Sequence, residues 1–235
     1  MPNTLFLQLE GLLQAWGERA RWSIRDTAPE PTKSGVVGLL ACAMGLSADE
    51  DLRSLSRQLR FGVRCDKPGS MLRDYHTVSG GVMSAEGIVK INQTTKEPET
   101  VVSERRYLCD ASFLVAVQGQ SALIEQLAQA AQDPIWTIFL GRKACVPSRP
   151  VYEAVGDFDS LEAALAARPI VPSLKNTQQA TATLRAVIEC KPNEGSMRRD
   201  QFDSRSRRTY LPRYAREVLL TVQVQQPSEL PQQES

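Results

Sequence analysis

The chain has 235 residues, enough for one large domain or two small ones. Hydrophobic residues make up 42% and charged residues 23%, a balance that excludes wholesale disorder, collagen-like repeats and a disulfide-stapled miniprotein. With 28 Lys and Arg against 27 Asp and Glu, net charge does not announce a nucleic-acid partner, so any basic surface must come from how the charges are distributed.

No apolar run reaches about 18 residues, so no membrane span is expected. The N-terminal Met1–Glu10 lacks the basic start of a signal peptide, which points to the cytoplasm. Five dispersed cysteines and a lone histidine, His76, offer no paired ligand spacing. Neither a structural metal nor another cofactor is expected, and reduced, mostly buried thiols are.

In chain order, Leu5, Leu7 and Leu9 alternate with polar or exposed positions and predict a strand over Thr4–Glu10. A turn-rich loop follows from Gly11 to Thr32. Val36, Val37, Leu39, Leu40, Ala43 and Met44 repeat at helical spacing from about Thr32 or Ser34, with Gly45 as the C′ residue. A second short helix is predicted over Asp49–Leu59. Strands are predicted over Phe61–Cys65 and Tyr107–Gln118, with an extended Met71–Ser79 between them. The polar stretch Ser79–Glu104 reads as a long hairpin or a partly mobile insertion and not as core. A helix over Ser121–Asp133 stops at Pro134. A strand over Ile138–Arg142, a helix over Ser160–Ala167 and strands over Leu184–Cys190 and Val218–Val224 complete the reading. Residues 226–235 read as a disordered tail. Two βαβ-like units flanking a hairpin suit a ferredoxin-like α+β domain with extra C-terminal β structure, in one unit over residues 1–225.

Lys33-Ser34 before an apolar helix invites a phosphate loop, but the two glycines of that motif are replaced by Thr27 and Thr32. What survives is a helix start where Ser34 and its neighbours either receive a phosphate or simply cap the helix. Three basic segments stand out. Trp16-Gly17-Glu18-Arg19-Ala20-Arg21-Trp22 interleaves aromatics with guanidiniums, as base stacking and phosphate pairing require, or else holds two core tryptophans. Gly141-Arg142-Lys143 lets a phosphate backbone approach beside two cations. Arg198–Arg216 holds seven arginines against two aspartates, with Tyr210 and Tyr214 interleaved, and favours a nucleic acid or an acidic partner. Asp74-Tyr75-His76-Thr77 contains the lone histidine. Tyr75 and His76 are the acid–base candidates for RNA cleavage, against an ordinary hydrogen-bonded structural histidine.

Five ordered blocks carry a family resemblance. They are Gly11-Leu12-Leu13-Gln14-Ala15-Trp16-Gly17, Pro31–Leu40 with Met44-Gly45-Leu46, Asp74–Val78, Arg106–Phe113 and Leu140–Pro147. In that order they resemble the CasD family of CRISPR-associated proteins, of the type I-E kind found in Cascade. The resemblance implies a RAMP-superfamily chain with a ferredoxin-like (RRM-like) core and a β-hairpin thumb inserted at about 79–104. It implies a non-catalytic subunit that binds the 5′ handle of CRISPR RNA and caps the complex. Its partners would be the backbone subunit and the large subunit, with target DNA met only through the guide duplex. In type I-C relatives the equivalent protein is itself the processing endoribonuclease, the role in which Tyr75 and His76 would act. Motif position and chemistry together assign RNA contacts to Trp16, Arg19, Arg21, Lys33, Ser34, Arg105, Arg106, Tyr107, Arg142 and Lys143, with Tyr107 equally suited to the core.

Overall fold

The computed structural model describes residues 1–18, 23–80, 87, 89, 91–170, 180–207 and 209–225. A mixed α/β architecture is built on one large sheet, almost wholly antiparallel. The strands are β1 (Thr4–Gln14), β2 (Ile24–Arg25), β3 (Arg60–Lys67), β4 (Ser70–Val78), β5 (Val101–Gln118), β6 (Tyr152–Gly156), β7 (Thr181–Cys190), β8 (Ser196–Ser204) and β9 (Thr209–Gln223). Their order is β6-β1-β5-β3-β7-β9-β8, with β2 and β4 also pairing with β5. The helices are α1 (Lys33–Ala43), α2 (Asp49–Gln58), α3 (Ser121–Gln132) and α4 (Leu161–Ala167).

Both faces of the central sheet are covered, which changes the reading of β1. Leu5, Leu7 and Leu9 pack under the α1–α3 layer. Phe6 is just as buried, but it faces α4 together with Leu114, Ala116, Ile188 and Leu220. The alternation therefore divides two helix layers and does not separate core from solvent.

Helix α1 is closed at both ends by its own sequence. Thr32 Oγ1 accepts from the Gly35 N–H at 3.2 Å. At the other end Gly45 takes φ +69, and the Gly45 and Leu46 N–H groups return to the carbonyls of Cys42 and Ala41. Helix α4 is closed at its C-terminus from outside. The buried Arg64 guanidinium donates to the carbonyls of Leu165 and Arg168 and is held by Asp66. A cation at a helix C-terminus complements the helix dipole.

Strand β5 has two lives. Its outer half pairs with β4, from Ser70↔Cys109 to Val78↔Val101. Its inner half pairs with β1 and β3 in the core. The change of partner falls at Asp110, with φ +55, opposite the Gly69 turn. A Cβ on Gly69 would lie 2.4 Å from the Cys109 carbonyl, so that turn demands glycine. The paired hairpin arms are thus 70–78 and 101–109, and within the expected insertion residues 81–86, 88 and 90 lie outside the described ones.

Two sequence expectations change. Ile138–Arg142 is not a strand: β6 takes the edge of β1, and Gly141, with φ +89, turns the chain. That β6 and the arginine-rich β8 are strands has little signature in the sequence. Both lie at the ends of the strand order, where pairing on one side needs no continuous apolar run. The extra C-terminal strands extend the same sheet, β7 pairing directly with β3. The expected tail, 226–235, lies outside the described residues.

Candidate nucleic-acid interface

Two of the basic blocks converge at the root of the hairpin. The Arg142 guanidinium donates to the carbonyls of Arg106 at 3.0 Å, Arg25 at 2.9 Å and Asp26 at 3.1 Å. It also lies 4.7 Å over the Tyr107 ring. One fork-shaped side chain thus ties the Gly141 loop to β2 and β5. Gly141 is obligatory, since a Cβ there would overlap the Ala15 carbonyl. Lys143, next to this clamp, is exposed and has no ion-pair partner among the described residues. Arg105 donates to Ser103, and Arg106 pairs with Glu104 at 3.0 Å while staying exposed.

Other sequence candidates sit elsewhere. Trp16 is 1% exposed, so the stacking expected of it has no open ring face. Its indole N–H donates to Gln14 at 3.0 Å, and its ring lies where a Gly35 Cβ would be. Lys33 is buried, with its ammonium 3.0 Å from both Glu189 oxygens. Burial pulls its pKa below the ordinary lysine value against the pull of Glu189. Tyr107 is buried beneath Arg142 and belongs to the core. Arg19 and Arg21 lie outside the described residues.

The start of α1 is already occupied. The Lys33 N–H donates to Asp200 Oδ2 at 2.9 Å, and Asp200 also holds the buried Arg213 at 2.7 and 2.8 Å. The α1 dipole therefore meets an internal carboxylate, leaving the capping reading of this segment and not the phosphate one. Four arginines of the Arg198–Arg216 stretch are engaged within the chain in the same way. Arg198 pairs with Glu18 and Glu30, Arg205 with Asp49, Arg213 with Asp200 and Arg216 with Glu162. Arg213 is paired inside the fold and Arg205 and Arg216 at its surface, and together with the Asp200–Lys33 bond these pairs stitch β8 and β9 to α1, α2 and α4.

Tyr75 and His76 are neighbours on β4, so they project to opposite faces of the hairpin. Tyr75 is 74% exposed, and His76 Nδ1 lies 3.5 Å from Asp74. The two do not converge on one point.

A cleft of about 510 Å³ lies beside α1. Ser34, Gly35, Gly38 and Cys42 form its helix side; Trp136, Phe139 and Gly141 come from the loop after α3; Phe202, Arg205 and Tyr210 come from β8, β9 and their turn. Through Gly141 it adjoins the Arg142 clamp. Trp136 and Gly38 carry little sequence signal: one is a lone aromatic after a helix stop, the other a glycine in mid-helix. Among the described residues no group of three His, Cys, Asp or Glu side chains is placed to hold a metal, and no helix is long and apolar enough to cross a membrane.

The family model described as "CRISPR-associated protein (Cas_Cas5)" matches residues 4–220. The chain is 36% identical over 165 residues to the "CRISPR system Cascade subunit CasD" of Escherichia coli (strain K12), covering 65% of this chain and 70% of that one. Among solved structures, a chain of a "CRISPR RNA-guided surveillance complex" superposes with TM-score 0.75 at 31% identity, over 94% of this chain and 91% of that one. A "Cas protein" crystal structure superposes with TM-score 0.69 at 35% identity, over 95% and 100%. With the family match running through the hairpin, the clamp loop and the C-terminal strands, the chain belongs to the Cas5 family of CRISPR-associated proteins.

Proposed function

We propose that this chain is an RNA-binding subunit of a Cascade surveillance complex. In this reading it holds the 5′ handle of the CRISPR RNA, caps one end of the assembly and does no chemistry. The observation that carries the reading is the junction of hairpin root and Gly141 loop, where Arg106 and Lys143 stand exposed beside a locked Arg142. A single RNA strand is bound by such cations along its backbone, with bases held by stacking and edge contacts. The likeness to the Cascade relative, whose matched region spans most of this chain, supports the assembly role.

A ferredoxin-like RAMP core is part of the proposal. The run β6-β1-β5-β3, with α1 after β1 and α3 after β5, supports it. So is the role of the β4–β5 hairpin as a thumb toward the neighbouring backbone subunit, with the large subunit as a second protein partner and target DNA reached through the guide. The opposite projection of Tyr75 and His76 supports a binder over a nuclease.

The test is to express the full chain with the other Cascade subunits and a CRISPR array, purify the complex and map the protected RNA. Protection of the 5′ handle that disappears when this chain is left out is expected. An RNA ending inside the repeat that requires His76 would overturn the non-catalytic reading, and unprotected handle RNA would overturn the capping reading.

A further inference from the structure

We propose that the cleft beside α1 receives an unstacked nucleobase of the bound RNA, lying against the helix at Gly38. This rests on the RNA-binding reading above and adds a base-holding site to it.

Gly38 needs no glycine for its own fold. Its φ is not positive, and a Cβ added there would meet nothing within 4 Å. A glycine in a helix interior is among the weakest helix formers, so this position carries a cost that no packing contact in the described structure repays. Three residues earlier the reason is plain: Gly35 is required by Trp16, whose ring lies 2.8 Å from the added Cβ. The missing side chain at Gly38 instead leaves the α1 backbone open toward the cleft.

The other walls suit a flat aromatic guest. Trp136 is 45% exposed and Tyr210 is 43% exposed, so two aromatic side chains of the lining are open to a guest. Trp136 is held in place. The Ile135 N–H donates to the Ala43 carbonyl at 2.9 Å, and the Cys42 thiol donates to the Thr137 carbonyl at 3.4 Å. Burial pushes that thiol up, keeping it a neutral donor. About 510 Å³ falls within the range of small-molecule sites and accommodates a base with its sugar.

The groups that could seat the guest's phosphate are already engaged: Arg205, the guanidinium lining the cleft, pairs with Asp49 at 2.9 Å. The Lys33 N–H already serves Asp200, the Gly35 N–H serves Thr32, and the Lys33 ammonium serves Glu189. Exposed cations lie on neighbouring segments instead, Lys143 after Gly141 and Arg207 on the β8–β9 turn. The cleft takes the base and leaves the charged backbone to the rim, since base–aromatic stacking is tolerant of sequence and independent of phosphate.

The test uses the purified complex with its own RNA. Ultraviolet cross-linking followed by peptide mass spectrometry is expected to place a nucleotide adduct on the peptide holding Trp136 or Tyr210. Gly38→Leu is expected to weaken RNA binding about tenfold with an unchanged salt slope and an unreduced Tm, and Trp136→Ala to weaken it similarly. Full RNA affinity in both variants, with adducts elsewhere, would overturn the base site and leave the RNA-binding reading standing. A salt slope reduced in Gly38→Leu would also overturn it, by assigning phosphate to the cleft. A complex that holds no RNA through this chain would overturn both.

Discussion

Asp200 and Lys33, 167 positions apart, are joined by a 2.9 Å hydrogen bond from the Lys33 N–H to the Asp200 carboxylate. That bond ties the first turn of α1 to the edge strand β8. The same carboxylate neutralises Arg213, whose guanidinium is buried and lies 5.3 Å over the Phe61 ring. Removing one partner of a buried pair strands the other charge. Asp200→Ala is therefore expected to cost about 3–5 kcal/mol, read by chemical denaturation. Asp200→Asn keeps an acceptor for the Lys33 N–H and is expected to cost less. Equal stability of wild type and Asp200→Ala would show that the pair does not hold α1.

The two glycines of α1 should respond in opposite directions. Gly38→Ala adds a helix former into open space and is expected to raise stability by about 0.5–1 kcal/mol. Gly35→Ala drives a Cβ into the Trp16 ring and is expected to lower stability by about 1–3 kcal/mol. Thermal melts of the two variants side by side decide this, and a shift of the same sign in both would contradict the packing described.

Arg142 and Lys143 are adjacent but should fail differently. Lys143→Ala is expected to leave Tm unchanged and to reduce the slope of log affinity against log salt by about one. Arg142→Ala removes three bonds to carbonyls and the stack on Tyr107, and is expected to lower Tm as well. Arg142→Lys keeps the charge without the fork, and the same loss of Tm is expected. A full Tm in Arg142→Lys would show that charge alone suffices at this position.

Asp49 governs the acid side of the β8–β9 turn. Its hydrogen bond from the Arg205 side chain comes first in holding its carboxyl below the usual carboxylate value of 3.8, aided by Ser204 and the Arg205 N–H. A carboxyl depressed in the folded state adds stability above its unfolded pKa and loses it as pH falls through the folded one. The contribution is thus present at neutral pH and is lost below pH 3.8. Asp49→Asn is expected to be less stable than wild type at neutral pH, with the gap closing as the medium is acidified. Denaturation at neutral and strongly acid pH measures the gap, and a constant gap would remove Asp49 from the acid response.

What was legible in the sequence follows from what is locally determined. Helix α1 was readable because Thr32, its apolar spacing and Gly45 all act within a few residues. Its N-terminus invited a phosphate because Asp200, which occupies it, is far away in the chain. The arginines of β8 and β9 looked like a polyanion surface for the same reason: their carboxylates come from distant segments, Glu18, Glu30, Asp49 and Glu162. Strand β6 escaped notice because five residues at a sheet edge need only one good ladder, and that ladder is supplied by β1. The family blocks named both the Gly141 loop and the hairpin root, which the fold brings together through Arg142, yet Trp16, Lys33 and Tyr107 lie in the packing beneath a surface. Gly38 was invisible because only the empty space beside it makes it unusual.

Strand β5 runs unbroken for 18 residues from the hairpin into the middle of the core, a contour of about 60 Å. Its inner half is clasped on both sides, by β1 and by β3. A pull along the hairpin therefore loads those two ladders in shear, so many hydrogen bonds share the force and none can unzip singly. The hairpin is in this sense a lever forged in one piece with its mount. A force at its outer end works against the whole central sheet, and the left-handed Asp110 beside the Gly69 turn marks where the arm leaves the core.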